Sequence, residues 1–206
     1  MLKRLTTLFI GNTLAALCIA MVINSGLGCF AVTSTNLAIA NFFNISLGTA
    51  GMLFELAMLL FATYKGEGIG VTSIVNAIYG SYVLDFFRML LPTHPALVVG
   101  LLVLPVGWAL MGKAGLGDTG SNIVMNALMK QTGKSVGFIR TIEECLFMLI
   151  GFIGARQYVT WFTVVLSFGL GYLLQFVYKL IKYEPTKINH KFLIKTSGEK
   201  TCLKEN

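Results

Sequence analysis

The chain has 206 residues, 55% of them hydrophobic and only 12% charged, with a mean hydropathy of +0.75. A soluble domain carries about 25% charged residues, so this composition excludes an ordinary soluble domain and points to lipid. The formal net charge of +7 gathers at turns and at the C-terminus, which argues for anionic lipid headgroups as the partner and against nucleic acid.

Behind Lys3 and Arg4, residues 5–23 read as a first membrane helix with a cytoplasmic N-terminus. The stretch is longer than a signal-peptide core, and no small-x-small cleavage site closes it. Gly11 and Ala15, like Ala16 and Ala20, stand four apart and suit close helix packing. The chain then breaks at Asn24, Ser25, Gly26, Leu27 and Gly28. Residues 29–43 would span only about 22 Å as a helix. They carry Thr33, Ser34, Thr35 and Asn36, so they are short and polar for a full crossing. Residues 47–64 form a good span, with Glu55 near its middle. Residues 69–91 form another, which holds Asn76, Asp85 and Arg88; a pairing of Asp85 with Arg88 is expected there. Pro92 and Pro95 bracket a linker.

The second part repeats this plan. Residues 96–111 span, and the break is Gly115-Leu116-Gly117. Residues 118–134 are again short and polar, with Asp118, Thr119, Ser121, Asn122, Asn126, Lys130 and Lys134. Residues 135–155 span and carry Glu144, Arg156 turns the chain, and residues 158–181 span to the tail. From Lys179 to the C-terminus there are seven lysines against three acids, the mark of a cytoplasmic, lipid-contacting end.

Sliding the sequence by 89 residues sets Gly26-Leu27-Gly28 on Gly115-Leu116-Gly117, Gly48 on Gly137 and Glu55 on Glu144. The offset holds to Leu60, and one extra residue then sets Tyr82 on Tyr172 and Phe86 on Phe176. Leu and Ala coincide freely between apolar segments, but a Gly-Leu-Gly triplet and a buried carboxylate do not. The chain therefore divides into a first membrane repeat (1–91), a second (92–182) and a basic tail (183–206).

Two topologies follow from the short segments. If they cross, there are eight spans and parallel halves. If they dip in and return, there are six spans and inverted halves, with Lys65, Lys113, Lys130 and Lys134 facing the cytoplasm with both termini. Charge bias and segment length favour the second. The expectation is an all-α integral membrane protein of two inverted repeats, with six full helices and two re-entrant or broken ones.

Glu55 and Glu144 carry the strongest chemical signal. A lone carboxylate at the membrane centre costs at least about 2.5–3.5 kcal/mol on insertion scales, so a repeated one asks for a role. The plain alternative is glue between helices. Arg140 stands three residues before Glu143 and four before Glu144, which allows ion pairs in the second half, where the first half has Gly51. A helix that starts inside the membrane aims its free N–H groups at the midplane, and Thr33 or Ser34, and Ser121 or Asn122, are suitable N-caps. The expected solute- or ion-binding set is Glu55, Glu144, Thr33, Ser34, Asn36, Asp118, Thr119, Ser121 and Asn122. Trp108 and Trp161 read as interface or core aromatics. The four cysteines and two histidines lack ligand spacing, and no nucleophile–base pair or phosphate loop is present, so neither an enzyme nor a cofactor or metal site is expected.

The Gly-Leu-Gly breaks, Thr132-Gly133-Lys134-Ser135-Val136-Gly137 and Gly68-Ile69-Gly70-Val71-Thr72 together resemble the YczE/YitT/YyaS-like family of small bacterial membrane proteins. The resemblance runs to about residue 180 and implies a bacterial inner-membrane location, but no substrate. The function expected is a transporter or permease for a small polar solute, with a proton as the candidate coupling ion. The alternatives are a substrate-capturing membrane subunit with a separate partner, and a non-transporting scaffold or assembly factor. A homodimer or partner subunit is compatible with each.

Overall fold

The computed structural model describes residues 2–92 and 97–180, with side chains from residue 103 onward in the second stretch. Helices and no strands make up the regular structure of these residues. The basic tail and the centre of the Pro-bracketed linker lie outside the described residues. The first half holds α1 (Leu2–Asn24), α2 (Ala31–Phe43), α3 (Leu47–Tyr64), α4 (Val71–Val75), a π-helical turn (Asn76–Gly80) and α5 (Ser81–Leu90). The second holds α6 (Leu97–Lys113), α7 (Gly120–Thr132), α8 (Val136–Gly154), a short 3₁₀ turn and α9 (Trp161–Leu180).

Sequence breaks and helix ends coincide for a backbone reason. Gly26, Gly28, Gly115 and Gly117 all have positive φ, up to 130° at Gly28, where a side chain would be strained. Ser46 and Ser135, at equivalent places, accept from the N–H three residues on and start α3 and α8. The expected caps of the short helices are corrected. α2 begins at Ala31 and α7 at Gly120, so Thr33, Ser34, Ser121 and Asn122 lie inside the first turns. The expected fourth span also differs, because it is interrupted by the π turn.

By length and apolarity, α1, α3 and α9 are long enough to cross a membrane. The molecule has inverted polarity: Asn12, Ser34, Asn126, Arg140, Glu144 and Ser167 are buried, while Leu60, Ile153, Phe168 and Phe176 are exposed. A water-soluble chain folds the other way round, so this surface suits hydrocarbon.

Helix directions can be read from the contacts. A Cβ on Gly11 would lie 2.8 Å from Gly107 O, and one on Gly107 would lie 2.9 Å from Gly11 O and 3.1 Å from Ala15 N. Arg4, at the start of α1, lies beside Gly115, just past the end of α6. The equivalent helices α1 and α6 therefore run antiparallel, with backbones touching through small residues as their spacing anticipated. Gly48 packs on Ser81 and Asp85, and Glu55 bonds Asn76, so α5 and its π turn run against α3. Asn24 Nδ2 donates to Arg88 O and Leu91 O, both at 3.1 Å, so α1 and α5 end together. The chain leaves α1 at that end, runs back through residues 25–30, and α2 returns toward it before α3 turns inward. Ala31, the first residue of α2, stands level with the middle of α8.

Several close approaches of one half on the other recur at repeat-related places. Gly28 packs on Thr160, and Gly117 on Gly70. Leu27 O accepts from Thr160 Oγ1, and Leu116 O from Thr72 N at 3.2 Å. α2 lies along α8, where Thr35 Oγ1 donates to Phe147 O at 2.8 Å and Ser34 and Ala38 fit over Gly151 and Gly154. α7 lies along α3, from Gly120 on Glu55 to the Lys130–Glu67 ion pair at 2.8 Å. Each short helix thus packs on the long helix of the other half.

Candidate functional site

The swap of short helices places each buried glutamate at the start of a helix it does not follow in sequence. Glu55, on α3, accepts from the backbone N–H of Gly120, the first residue of α7, in a short hydrogen bond. The same oxygen, Oε1, accepts from Asn76 Nδ2 at 3.0 Å, at the start of the π turn. A carboxylate at a helix N-terminus meets unpaired N–H groups and the positive end of the helix dipole. At the equivalent place, Glu144 on α8 faces Ala31, the first residue of α2, whose N–H comes close without full hydrogen-bond geometry. Ala31 and Gly120 are themselves 89 residues apart, so one contact is the repeat image of the other.

The surroundings of the two carboxylates then diverge. Glu144 is held by Arg140 Nη2 at 3.0 Å, and Glu143 stands 3.6 Å from Arg140 Nη1. The guanidinium lies over the Trp108 ring, 4.9 Å from its centroid, and both members of the closer pair are 1% exposed. Glu55 has no such partner. No Lys or Arg among the described residues lies within 4.0 Å of it. Its Oε2 takes no hydrogen bond from them, while the residue lines a cavity of about 110 Å³.

That cavity lies where the halves meet. α1 contributes Asn12 and Ile19, α2 Asn36, α3 Gly51 and Glu55, and the rod of residues 71–90 contributes Asn76 and Ser81. From the second half come Trp108, Thr119, Ser121 and Arg140. Asn12 Nδ2 and Asn36 Oδ1 are buried there without a hydrogen-bond partner among the described residues. Residues 2–97, and again residues 93–198, match one family, described as a family of unknown function (DUF6198). The chain belongs to the DUF6198 family. No curated protein and no solved structure matches it. The double match to DUF6198 is the internal repeat seen in sequence and in the reciprocal contacts.

Of the residues expected to bind a solute in this DUF6198 protein, the cavity takes Glu55, Asn36, Thr119 and Ser121. Glu144 faces Arg140 instead, so the two glutamates do not share the lining. Asp118 is turned to its own helix: Oδ1 accepts from Thr119 N at 2.8 Å and from Asn122 Nδ2 at 2.7 Å. Ser34 Oγ donates to Ala31 O at 2.7 Å against Gly151, and Thr33 is buried away from the lining. Asn12, Asn76, Ser81 and Trp108 were not expected. The signal for the asparagines was their presence in apolar spans, which glue between helices also explains. Asp85 is corrected too. Its Oδ1 accepts from Gly48 N at 2.8 Å and caps α3, with no ion pair to Arg88.

Proposed function

We propose that this chain is a membrane permease for a small polar solute, with the Glu55 cavity as its binding site. In this reading the halves are inverted repeats, with six crossing helices and two re-entrant ones, α2 and α7. The antiparallel course of α1 and α6, and the return of α2 toward the end where α1 stops, support that topology. The protein then sits in a bacterial inner membrane with both termini cytoplasmic, the location the YczE/YitT/YyaS-like resemblance also implies. Cysteines introduced at Lys65 and Arg156 label from opposite faces of the membrane; labelling from one face sinks the inverted arrangement.

The observation that carries the function is a cavity between two pseudo-symmetric halves, with polar side chains in its wall and a carboxylate oxygen free of donors from the described residues. A scaffold protein has no need of such a space, and leaving buried polar groups unmet is costly. Glu55 also links the cavity to a movable part, because the same carboxylate holds the first N–H of α7. Solute or proton arriving at Oε2 competes for charge with that cap and shifts the hold on the short helix. Binding is thereby tied to the position of one half against the other, which alternating access requires. The test is a thermal-shift survey of the purified protein against small polar solutes, then uptake of each hit into proteoliposomes. A solute that stabilises the parent chain and accumulates, and does neither with Glu55→Gln, is the expected result. No stabilising solute, or accumulation indifferent to Glu55→Gln, refutes the proposal.

A further inference from the structure

The second half contains, in its own side chains, an image of what the first half lacks. Gly51 stands 89 residues before Arg140, as Glu55 does before Glu144. The surrounding contacts keep the same correspondence. Arg140 Cβ lies 3.3 Å from the Cβ position of Gly171, and Gly51 faces Ser81, the residue equivalent to Gly171. Where a guanidinium sits against Glu144, the first half therefore has a glycine beside Glu55, and Gly51 lines the cavity. The empty volume occupies the position that the repeat fills with a cation.

We infer that the Glu55 cavity takes a small organic cation of the guanidinium or ammonium class; this rests on the reading of the cavity as a solute site. Three observations independent of the repeat agree. Glu55 is 6% exposed and, among the described residues, has no basic partner within 4.0 Å and no donor to Oε2. The unpartnered Asn36 Oδ1 is a further acceptor at the same wall, where Asn36 Nδ2 would lie 3.3 Å from a Cβ on Gly51. Asn12 is 2% exposed with an unmet amide nitrogen, and a half rotation of the amide would turn its oxygen to the ligand instead.

The charges around Glu55 favour a cation over an anion. α1 brings Asn12, α2 Asn36 and the π turn Asn76, all neutral. The approach to α7 brings Asp118, and α8 brings Arg140. Arg140 is the one cation near Glu55 among the described residues, and Glu143 and Glu144 already face it. Arg140 also lines the cavity but is faced by two carboxylates, so an arriving cation meets at Glu55 a carboxylate with no basic partner within 4.0 Å among the described residues. Planar guanidinium also matches a carboxylate in shape.

The test uses the purified full-length protein in detergent, with guanidinium as the probe and urea, its neutral counterpart of similar shape, as the control. Both are kept in the low-millimolar range at matched ionic strength. Guanidinium raises the melting temperature of the parent chain and urea does not. Glu55→Gln keeps an acceptor for Gly120 and Asn76 but removes the charge, and weakens guanidinium binding by about tenfold or more. Gly51→Arg supplies the missing cation internally, so it melts higher than the parent and no longer responds to guanidinium. Equal responses to urea and guanidinium, or a guanidinium response kept in either variant, overturn the assignment. If Gly51→Arg does not fold, the parent and Glu55→Gln decide alone. A neutral or anionic solute bound through Glu55, with no response to guanidinium, overturns the cation and leaves the permease standing. Guanidinium bound through Glu55 but never accumulated by proteoliposomes does the reverse.

Discussion

Around Glu144 the second half builds an ion pair, and around Glu55 the first half builds a cavity. Both carboxylates descend from one position of the repeat, and both face the first turn of the other half's short helix. The rest of the first-half wall has changed with them. Asn36, Asn76 and Ser81 stand where the second half has Met125, Leu166 and Gly171. One half has thus set an arginine of its own against its buried charge, and the other has placed polar groups around its charge and left space. Duplication gives two equal sites; one now holds an ion pair and the other borders a cavity. The difference explains why a buried carboxylate, read alone, does not reveal whether it works or holds.

The sharpest way to break this comparison is to remove one partner on the structural side. Arg140→Met strips the cation from between Glu143 and Glu144, and Glu144→Ala leaves a guanidinium buried without its nearest acceptor. Breaking a buried pair from one side costs about 3–5 kcal/mol. Either variant is expected to lose most of its folded yield, or to melt far below the parent chain in detergent. The double change Arg140→Met with Glu144→Leu should recover much of that stability, since apolar replacements of a whole buried pair are tolerated. A mild effect of the single changes would deny Glu144 its structural role.

The receptive side should respond in the opposite sense. Glu55→Ala loses the cap on α7 and the Asn76 bond, and is expected to cost about 1–2 kcal/mol in thermal or denaturant unfolding. Glu55→Gln retains acceptors for both and should cost less than about 1 kcal/mol while weakening binding by about tenfold or more. A large stability loss with Gln would mean that the charge at Glu55 is structural as well, and the two halves would not differ in kind.

Much of this plan was legible in the chain, and the part that was not has a common cause. The repeat, the Gly-Leu-Gly breaks, the short helices and both glutamates stand out because each is a local departure from an apolar background. Arg140 with Glu143 and Glu144 was legible because partners three and four apart share a helix face. What escaped depends on pairs distant in sequence. Glu55 meets Gly120 across 65 residues, and Asp85 meets Gly48 across 37. Spacing within one segment could suggest only the nearby Arg88 for Asp85. Likewise, a lone Asn12 or Asn76 in a span is equally suited to glue and to a cavity until the neighbouring helices are known.

A smaller test uses that Asp85 cap. Asp85 holds the N-terminus of α3, and its counterpart Gln175 lies over Gly137 at the start of α8. Asp85→Ala should cost about 0.5–2 kcal/mol, the usual range for losing an N-cap acceptor, without changing solute binding. Asp85→Gln makes the first half like the second and should cost less than Ala. If the Gln variant melts with the Ala variant, the two halves do not cap their long helices alike.

The smallest expected change in stability tests how tightly a glutamate grips its short helix. Gly120 meets Glu55 in a short hydrogen bond, and a Cβ there would lie 3.0 Å from Glu55 O and 3.2 Å from Glu55 Cδ. The first half has Ala31 at this position, and its contact with Glu144 falls short of hydrogen-bond geometry. Gly120→Ala therefore imposes the looser first-half arrangement on α7. Two effects oppose each other: Ala favours the helix over Gly by up to about 1 kcal/mol, and the added methyl crowds Glu55. The net change in stability should stay within about 1 kcal/mol of zero. Solute affinity should nevertheless fall several-fold, because Glu55 must move by a few tenths of an ångström at the wall of the cavity. Ala31→Gly is the mirror experiment and should leave affinity unchanged, since Glu144 is outside the lining. Parallel measurement of melting temperature and binding separates the cases. If Gly120→Ala binds like the parent chain, the cap on α7 and the cavity are independent, and the proposed link between occupancy and helix position is lost.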